Sequence, residues 1–161
     1  FILDDSGDCR DHTLQIAAPQ YLPVDEELIP TGEIASVTET PFNFLQPKRI
    51  GEDAPGSVIY DHNFCVAQHR RETVPVAKVQ SEKSGLSMDI ITTEPGLQFY
   101  AAHKLETPVP GLAGEPYGPF AGMALETQLW PDAPNHPHFP NAIIRPGETS
   151  VQITEYRFSK T

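Results

Sequence analysis

Three polar residues stand alone among apolar neighbours in stretches that read as β-strands: Asp61 in YDHNF, Gln98 in EPGLQFY and Glu126 in LETQ. A carboxylate accepts hydrogen bonds and a carboxamide both donates and accepts them, each in a defined plane. Such a set suits a ligand rich in hydroxyl groups. A carboxylate can also take up a proton, and Glu126 is the best placed of the three to do so. It precedes LWPDAPNHPHFP, where Pro131, Pro134, Pro137 and Pro140 remove backbone donors at three-residue intervals. From Pro131 the chain is expected to run as an extended, rigid, unpaired loop. A base carried on a strand beside a stiff loop is held still near solvent, where proton transfer is useful. The competing reading of Glu126 is an outward-facing, solvated side chain, the ordinary state of a strand carboxylate.

The elements that must position these residues are strands, because 17 prolines and 11 glycines interrupt the chain too often for a long helical period. From His12 to Ala18 alternation puts Leu14 and Ile16 on one face. Pro19 to Ile34 is a structured connection between short strands, with a turn at Thr31 and Gly32. Thr40 to Pro55 reads as a loop that packs through Phe42 and Phe44. Ser57 to Gln68 is an apolar strand interrupted by Asp61, His62 and Asn63. Buried polar groups need partners, so a β-bulge is expected there, aiming one of the triplet into a cleft. Thr73 to Gln80 and Leu86 to Thr93 flank SEKSG and predict a hairpin with Gly85 at positive φ. Leu97 to Leu105 alternates Gln98 and Tyr100 against Leu97 and Phe99. Thr107 to Gly122, with four prolines and four glycines, is the longest irregular connection. A last hairpin is expected between Ala142 to Arg145 and Thr149 to Ser159, turning at Pro146 and Gly147. In its second arm Val151 and Ile153 lie opposite Tyr156 and Phe158, so either a bulge switches faces or both faces are covered. Many short strands separated by turns argue for an all-β sandwich.

At 161 residues the chain has the length of one domain. A chain of that size can bury roughly 70% of its unfolded surface. Its 22 acidic residues against 11 basic ones give a formal charge of −11, which repels phosphate backbones and anionic lipid headgroups. Nucleic acid and membrane surfaces are therefore excluded as expected partners, whereas neutral ligands are not disfavoured. No apolar run approaches the roughly 20 residues that span a bilayer. Cys9 and Cys65 are the only cysteines, and a disulfide-free chain with a buried thiol at Cys65 is expected. His136 and His138 beside Asp132 lack further ligands at usable spacing, so no metal is expected. His62 is expected to make a structural bond, since strand neighbours point to opposite faces and it cannot share a cleft with Asp61. His69 and His103 read as surface residues. Trp130 either stacks on a ligand or anchors the proline-rich loop. No phosphate-binding glycine loop and no nucleophile elbow is present.

LETQLWPDAPNHPHFP followed by IIRPGE resembles the C-terminal signature of the aldose 1-epimerases, the galactose mutarotases. YDHNF, EPGLQFY and LPVDEELIPTGEI resemble further motifs of that family, in its order and near its spacing, so the resemblance covers almost the whole chain. It implies an all-β fold, a large antiparallel β-sandwich of the galactose mutarotase-like supersandwich type, of which residues 1–161 form the C-terminal portion. It also implies an isomerase that interconverts the α and β anomers of an aldohexose such as galactose or glucose, with no metal and no organic cofactor. Glu126 would be the general base, and Asp61 and Gln98 would bind sugar hydroxyls. A free glutamate with a pKa near roughly 4.3 is a weak base at neutral pH, so the site is expected to bury it partly or set it near Asp61.

One departure is informative. The family's general acid is a histidine in an asparagine, histidine, small, aromatic, aromatic motif, and Phe1 resembles the last aromatic of it. The chain is thus expected to begin about two residues past the acid, with the N-terminal half of the fold as a second chain or a further segment. Without that half, strand edges and an apolar face would lie open and the chain alone would be inactive. A cytoplasmic setting is expected. The alternative is a noncatalytic carbohydrate-binding or regulatory module derived from a mutarotase. A relative acting on phosphorylated sugars would need a basic cluster, for which Arg70 and Arg71 are the only adjacent pair.

Overall fold

The computed structural model describes residues 1–53, 58–112 and 114–160. The strands are β1 (Thr13–Ile16), β2 (Gln20–Tyr21), β3 (Ala35–Ser36), β4 (Lys48–Arg49), β5 (Asp61–Cys65), β6 (Val74–Gln80), β7 (Leu86–Thr92), β8 (Gly96–Tyr100), β9 (Ala124–Gln128) and β10 (Thr154–Lys160). They form two five-stranded antiparallel sheets, in the orders β10-β7-β6-β1-β4 and β3-β2-β5-β8-β9. The expected all-β class and two-sheet arrangement are both found. Ser57, at the start of one expected strand, and Ala54 and Pro55, at the end of the expected loop, lie outside the described residues.

Strand alternation builds the core between the sheets. Leu14, Ile16, Val79, Met88 and Ile90 from the first sheet meet Phe64, Leu97 and Phe99 from the second, and each of these is fully buried. Burying side chains of this size stabilises the fold by about 1.5–3 kcal/mol apiece. Phe42 and Phe44 fill the space beside them as predicted, but the stretch is not all loop, since Lys48 and Arg49 pair with β1 as β4. The β6–β7 hairpin forms around Ser81 to Gly85, and Gly85 takes φ 69 in its turn.

Four expectations are corrected. No bulge interrupts β5, whose register runs without a shift from Asp61↔Tyr100 to Cys65↔Gly96. Alternation alone sorts the triplet: Asp61 and Asn63 leave one face, and His62 leaves the other to pack 4.5 Å from the Phe42 ring. Strand β8 stops at Tyr100, short of Leu105, because Ala102 takes a left-handed φ of 54 and turns the chain out of the ladder. The proline-rich loop is not extended throughout, since a 3-10 turn forms at Ala133–Asn135. The final hairpin does not form either. Strand β10 pairs instead with the free edge of β7, from Thr154↔Thr92 to Lys160↔Leu86, a longer ladder than Ala142 to Arg145 could offer. Val151 and Ile153 precede β10, so no change of face is needed within it.

The last strands of the two sheets, β9 and β10, lie along the same side of the sandwich. Tyr156 Oη donates to Leu125 O across them at 2.9 Å, and the hydroxyls of Thr127 and Thr154 are 2.5 Å apart. Aromatic side chains on that side lie open to solvent. Phe1 packs on Tyr156 with ring centroids 5.0 Å apart, yet Phe1, Tyr156 and Phe158 remain 47%, 36% and 57% exposed.

Candidate active site

Three adjacent strands carry the three residues singled out in the sequence. Register sets Asn63 across from Gln98, and Gln98 across from Glu126. Cross-strand partners leave a sheet on the same face. Asp61 and Asn63 from β5, Gln98 and Tyr100 from β8, and Glu126 and Gln128 from β9 therefore share one face, opposite the buried Phe64, Leu97, Phe99 and Leu125. They line a cleft of about 240 Å³.

The walls come from the two proline-punctuated loops. In the first, Leu22, Val24, Leu28 and Pro30 face the cleft. Asp25 shapes this loop: its Oδ1 accepts from the backbone N–H groups of Glu27 at 2.9 Å and Ile29 at 3.0 Å, while Leu28 takes φ 65. In the second, Pro131 faces the cleft and His138 docks on the first loop through a 2.8 Å bond between its Nε2 and Gly32 O. Gly32 has φ 90, and a Cβ there would lie 2.8 Å from the His136 ring. Trp130 anchors this loop and does not face the ligand space: it is 1% exposed, donates from Nε1 to Pro95 O at 2.9 Å and packs edge-on against Phe139.

Within the cleft Gln98 Nε2 donates to Asp61 Oδ1 at 2.8 Å, so two of the expected binding residues are joined directly. Asn63 Oδ1 and Gln98 Oε1 are buried and receive no donor. Glu126 lies beside this pair but is exposed, contrary to the expected partial burial, because β9 is the edge strand of its sheet. Its open position leaves the carboxylate free to meet a ligand from the cleft or a group from beyond the edge.

The histidines divide as their surroundings dictate. His62 accepts from the backbone N–H of Asp61 at 3.2 Å through Nδ1, the structural bond expected, and burial pushes its pKa down against the pull of the Asp61 charge. His69 is exposed. His103 is half-buried: its ring nitrogens are covered and have no hydrogen-bond partner, and its ring stands edge-on to Tyr100 at 5.5 Å. Burial lowers its pKa, and Lys104 adds to that. Nothing in AAHKL signals this, since the burial follows from the turn at Ala102. Among the described residues, no group of three or more His, Cys, Asp or Glu could hold a metal ion. Arg70 is engaged by Glu94 at 2.7 Å and Arg71 by Val66 O at 3.1 Å, so this pair offers no phosphate site in the cleft. Among the described residues no helix is long and apolar enough to cross a membrane. Sequence reasoning singled out Asp61, Gln98 and Glu126, named Asn63 only as one of a polar triplet and gave Gln128 no role. Only the β5–β8–β9 register reveals that they share the cleft face.

Known proteins resemble this chain in sequence and in fold. The sequence profile of the family described as Aldose 1-epimerase matches residues 1–157. The galactose mutarotase of Rattus norvegicus is 43% identical over 96% of this chain and 45% of its own length. The aldose 1-epimerase of Escherichia coli K12 is 39% identical over 98% of this chain and 48% of its own. The crystal structure of an aldose epimerase homologue from C. elegans superposes with a TM-score of 0.89 at 33% identity, covering 99% of this chain and 49% of that one. The chain spans about half the length of the curated relatives it matches. On this profile match and these identities, the chain belongs to the aldose 1-epimerase family.

Proposed function

We propose that residues 1–161 are the base-bearing, C-terminal portion of an aldose 1-epimerase that interconverts the α and β anomers of an aldohexose such as galactose or glucose. The observation that carries this reading is the convergence of Asp61, Gln98 and Glu126 on one cleft of about 240 Å³. Asp61 and Gln98 hold sugar hydroxyls. Glu126 takes the proton from the hydroxyl on C1, the bond from C1 to the ring oxygen breaks, and an acid delivers a proton to that oxygen. The open-chain aldehyde turns about its C1–C2 bond and closes on the other face, returning both protons. No electrons are exchanged, so the reaction needs no redox cofactor.

The acid comes from polypeptide beyond β9. Phe1 and Met123 exchange both backbone hydrogen bonds, Phe1 N to Met123 O and Met123 N to Phe1 O, which is the closely spaced pair of an antiparallel ladder. Chain joined ahead of Phe1 would continue that ladder along β9. The third position ahead of Phe1 would then stand across from Glu126 with its side chain on the cleft face. The exposed Phe1, Tyr156 and Phe158 support the same partner, the N-terminal half of the fold, as a second chain or a further segment. Free, buried thiols at Cys9 and Cys65 support a reducing, cytoplasmic setting.

The test is the rate of anomer exchange by polarimetry or NMR saturation transfer in the gene product that carries this chain. Glu126→Gln should lower it by roughly 10²–10⁴-fold. An unchanged rate removes Glu126 as the base. Sugar binding without any exchange in the unmutated protein would favour the noncatalytic carbohydrate-binding module.

A further inference from the structure

Two directly opposed residues of the β5–β8 ladder, Asn63 and Gln98, each hold an amide oxygen to which nothing is donated. Asn63 and Gln98 are directly opposed in register, so both side chains leave the sheet on the cleft face. The bond from Gln98 Nε2 to Asp61 Oδ1, 2.8 Å long, commits the Gln98 nitrogen and leaves its Oε1 as the free atom. On Asn63, which is 1% exposed, Oδ1 is likewise buried and unpartnered. Interiors rarely leave such an acceptor unserved, and an adjacent pair at one site calls for a ligand that brings donors.

The surrounding sequence keeps this acceptor in place. Gly96 has no side chain to displace it, and a Cβ there would lie 2.4 Å from Asn63 Oδ1. The Asn63 backbone is pinned as well, since its carbonyl accepts from Leu22 N at 2.9 Å. Directly opposed residues hold their Cβ atoms roughly 5 Å apart, and from there the two amides lean apart, Gln98 towards Asp61 and Asn63 towards Gly96, so their oxygens address two different hydroxyls of one sugar. A single hydroxyl carries one proton and cannot serve both.

We infer that Asn63 is a sugar-binding residue, and that Asn63 Oδ1 and Gln98 Oε1 accept from two different hydroxyls of one sugar. The inference rests on the sugar reading of the cleft. It assigns the site a specificity, because an aldose lacking either hydroxyl leaves one buried oxygen unpaired.

The experiment measures dissociation constants for galactose, glucose and their monodeoxy analogues in the gene product that carries this chain. Two analogues, each lacking a different hydroxyl, should bind roughly 10-fold more weakly than the parent. Asn63→Ala should abolish one of those penalties and leave the other, and Gln98→Ala should do the reverse. A penalty at a single carbon only, or at none, overturns the pair of acceptors from the unmutated protein alone, whether or not the variants fold. Both penalties persisting in a folded Asn63→Ala protein overturn the assignment of Asn63, the acceptor then being served by an ordered water. Failure to bind any aldose would sink the sugar reading itself, and this inference with it.

Discussion

Asn63 occupies space that exists only because Gly96 has no side chain: a Cβ at Gly96 would lie 2.4 Å from Asn63 Oδ1, 3.0 Å from Gln128 O and 3.1 Å from Trp130 Cδ1. Two of these neighbours cannot yield easily, since Gln128 O is backbone and Trp130 is fixed by its bond to Pro95 O. Gly96→Ala should therefore destabilise the fold by about 1–3 kcal/mol through overpacking. It should also weaken sugar binding by displacing Asn63. Urea unfolding and a binding titration on the same variant read the two effects, and a variant as stable as the parent would contradict the close approach.

The Asp61–Gln98 bond makes a separate prediction about kinetics. Asp61→Ala removes the acceptor of Gln98 Nε2, so the carboxamide is released and its Oε1 is no longer aimed. If these residues bind hydroxyls and Glu126 carries the chemistry, KM should rise by roughly 10-fold with a smaller change in kcat. Asp61→Asn keeps an oxygen in reach of Gln98 and should recover part of the loss. A fall in kcat at constant KM would instead move Asp61 into the proton-transfer step.

What could be read in advance follows a physical division between local and long-range information. The β6–β7 hairpin was legible because Ser81 to Gly85 carries its own turn chemistry, and β1 because Leu14 and Ile16 alternate with polar residues. The partner of β10 was not, since pairing with β7 depends on which edge the rest of the sheet leaves free. The same holds at the cleft. Asp61, Gln98 and Glu126 each stood out as one polar residue in an apolar run. The environment of Asn63 depends on Gly96, which lies on a different strand, and the burial of His103 depends on a left-handed residue beside it.

Acid should loosen the N-terminal segment in two stages. His12 is fully buried and accepts the Leu3 backbone N–H at Nε2, 2.9 Å away; burial pushes its pKa below the ordinary 6.5. Burial also opposes the charge on Asp4, but hydrogen bonds from Ser6 and Ser81, with His12 nearby, outweigh it and take that carboxyl from 3.8 down to about 2. Both folded pKa values lie below the unfolded ones, so the unfolded chain binds more protons and stability rises with pH in each window. The His12 contribution is intact above 6.5 and falls below it; that of Asp4 is intact above 3.8 and disappears towards pH 2. Urea unfolding across this range should show the lower decline reduced in Asp4→Asn, with the upper one kept. Superimposable curves for the two proteins below pH 4 would refute the Asp4 assignment.

The exposure of Glu126 carries the last prediction. A base on an edge strand, open to solvent, is poorly placed to work unaided, because water competes for its hydrogen bonds and screens its charge. Continuing the Phe1–Met123 ladder would cover that edge and bring a third-position side chain across from Glu126. Residues 1–161 alone should then leave anomer exchange at its spontaneous rate, and adding the N-terminal portion of a family member, in one chain or two, should restore catalysis. Alanine at the third position ahead of Phe1 should lower the restored rate by roughly 10²–10⁴-fold if that residue is the acid. Full activity from residues 1–161 by themselves would mean that the acid lies within this chain, with the half-buried His103, whose ring nitrogens lack hydrogen-bond partners, the first candidate to substitute.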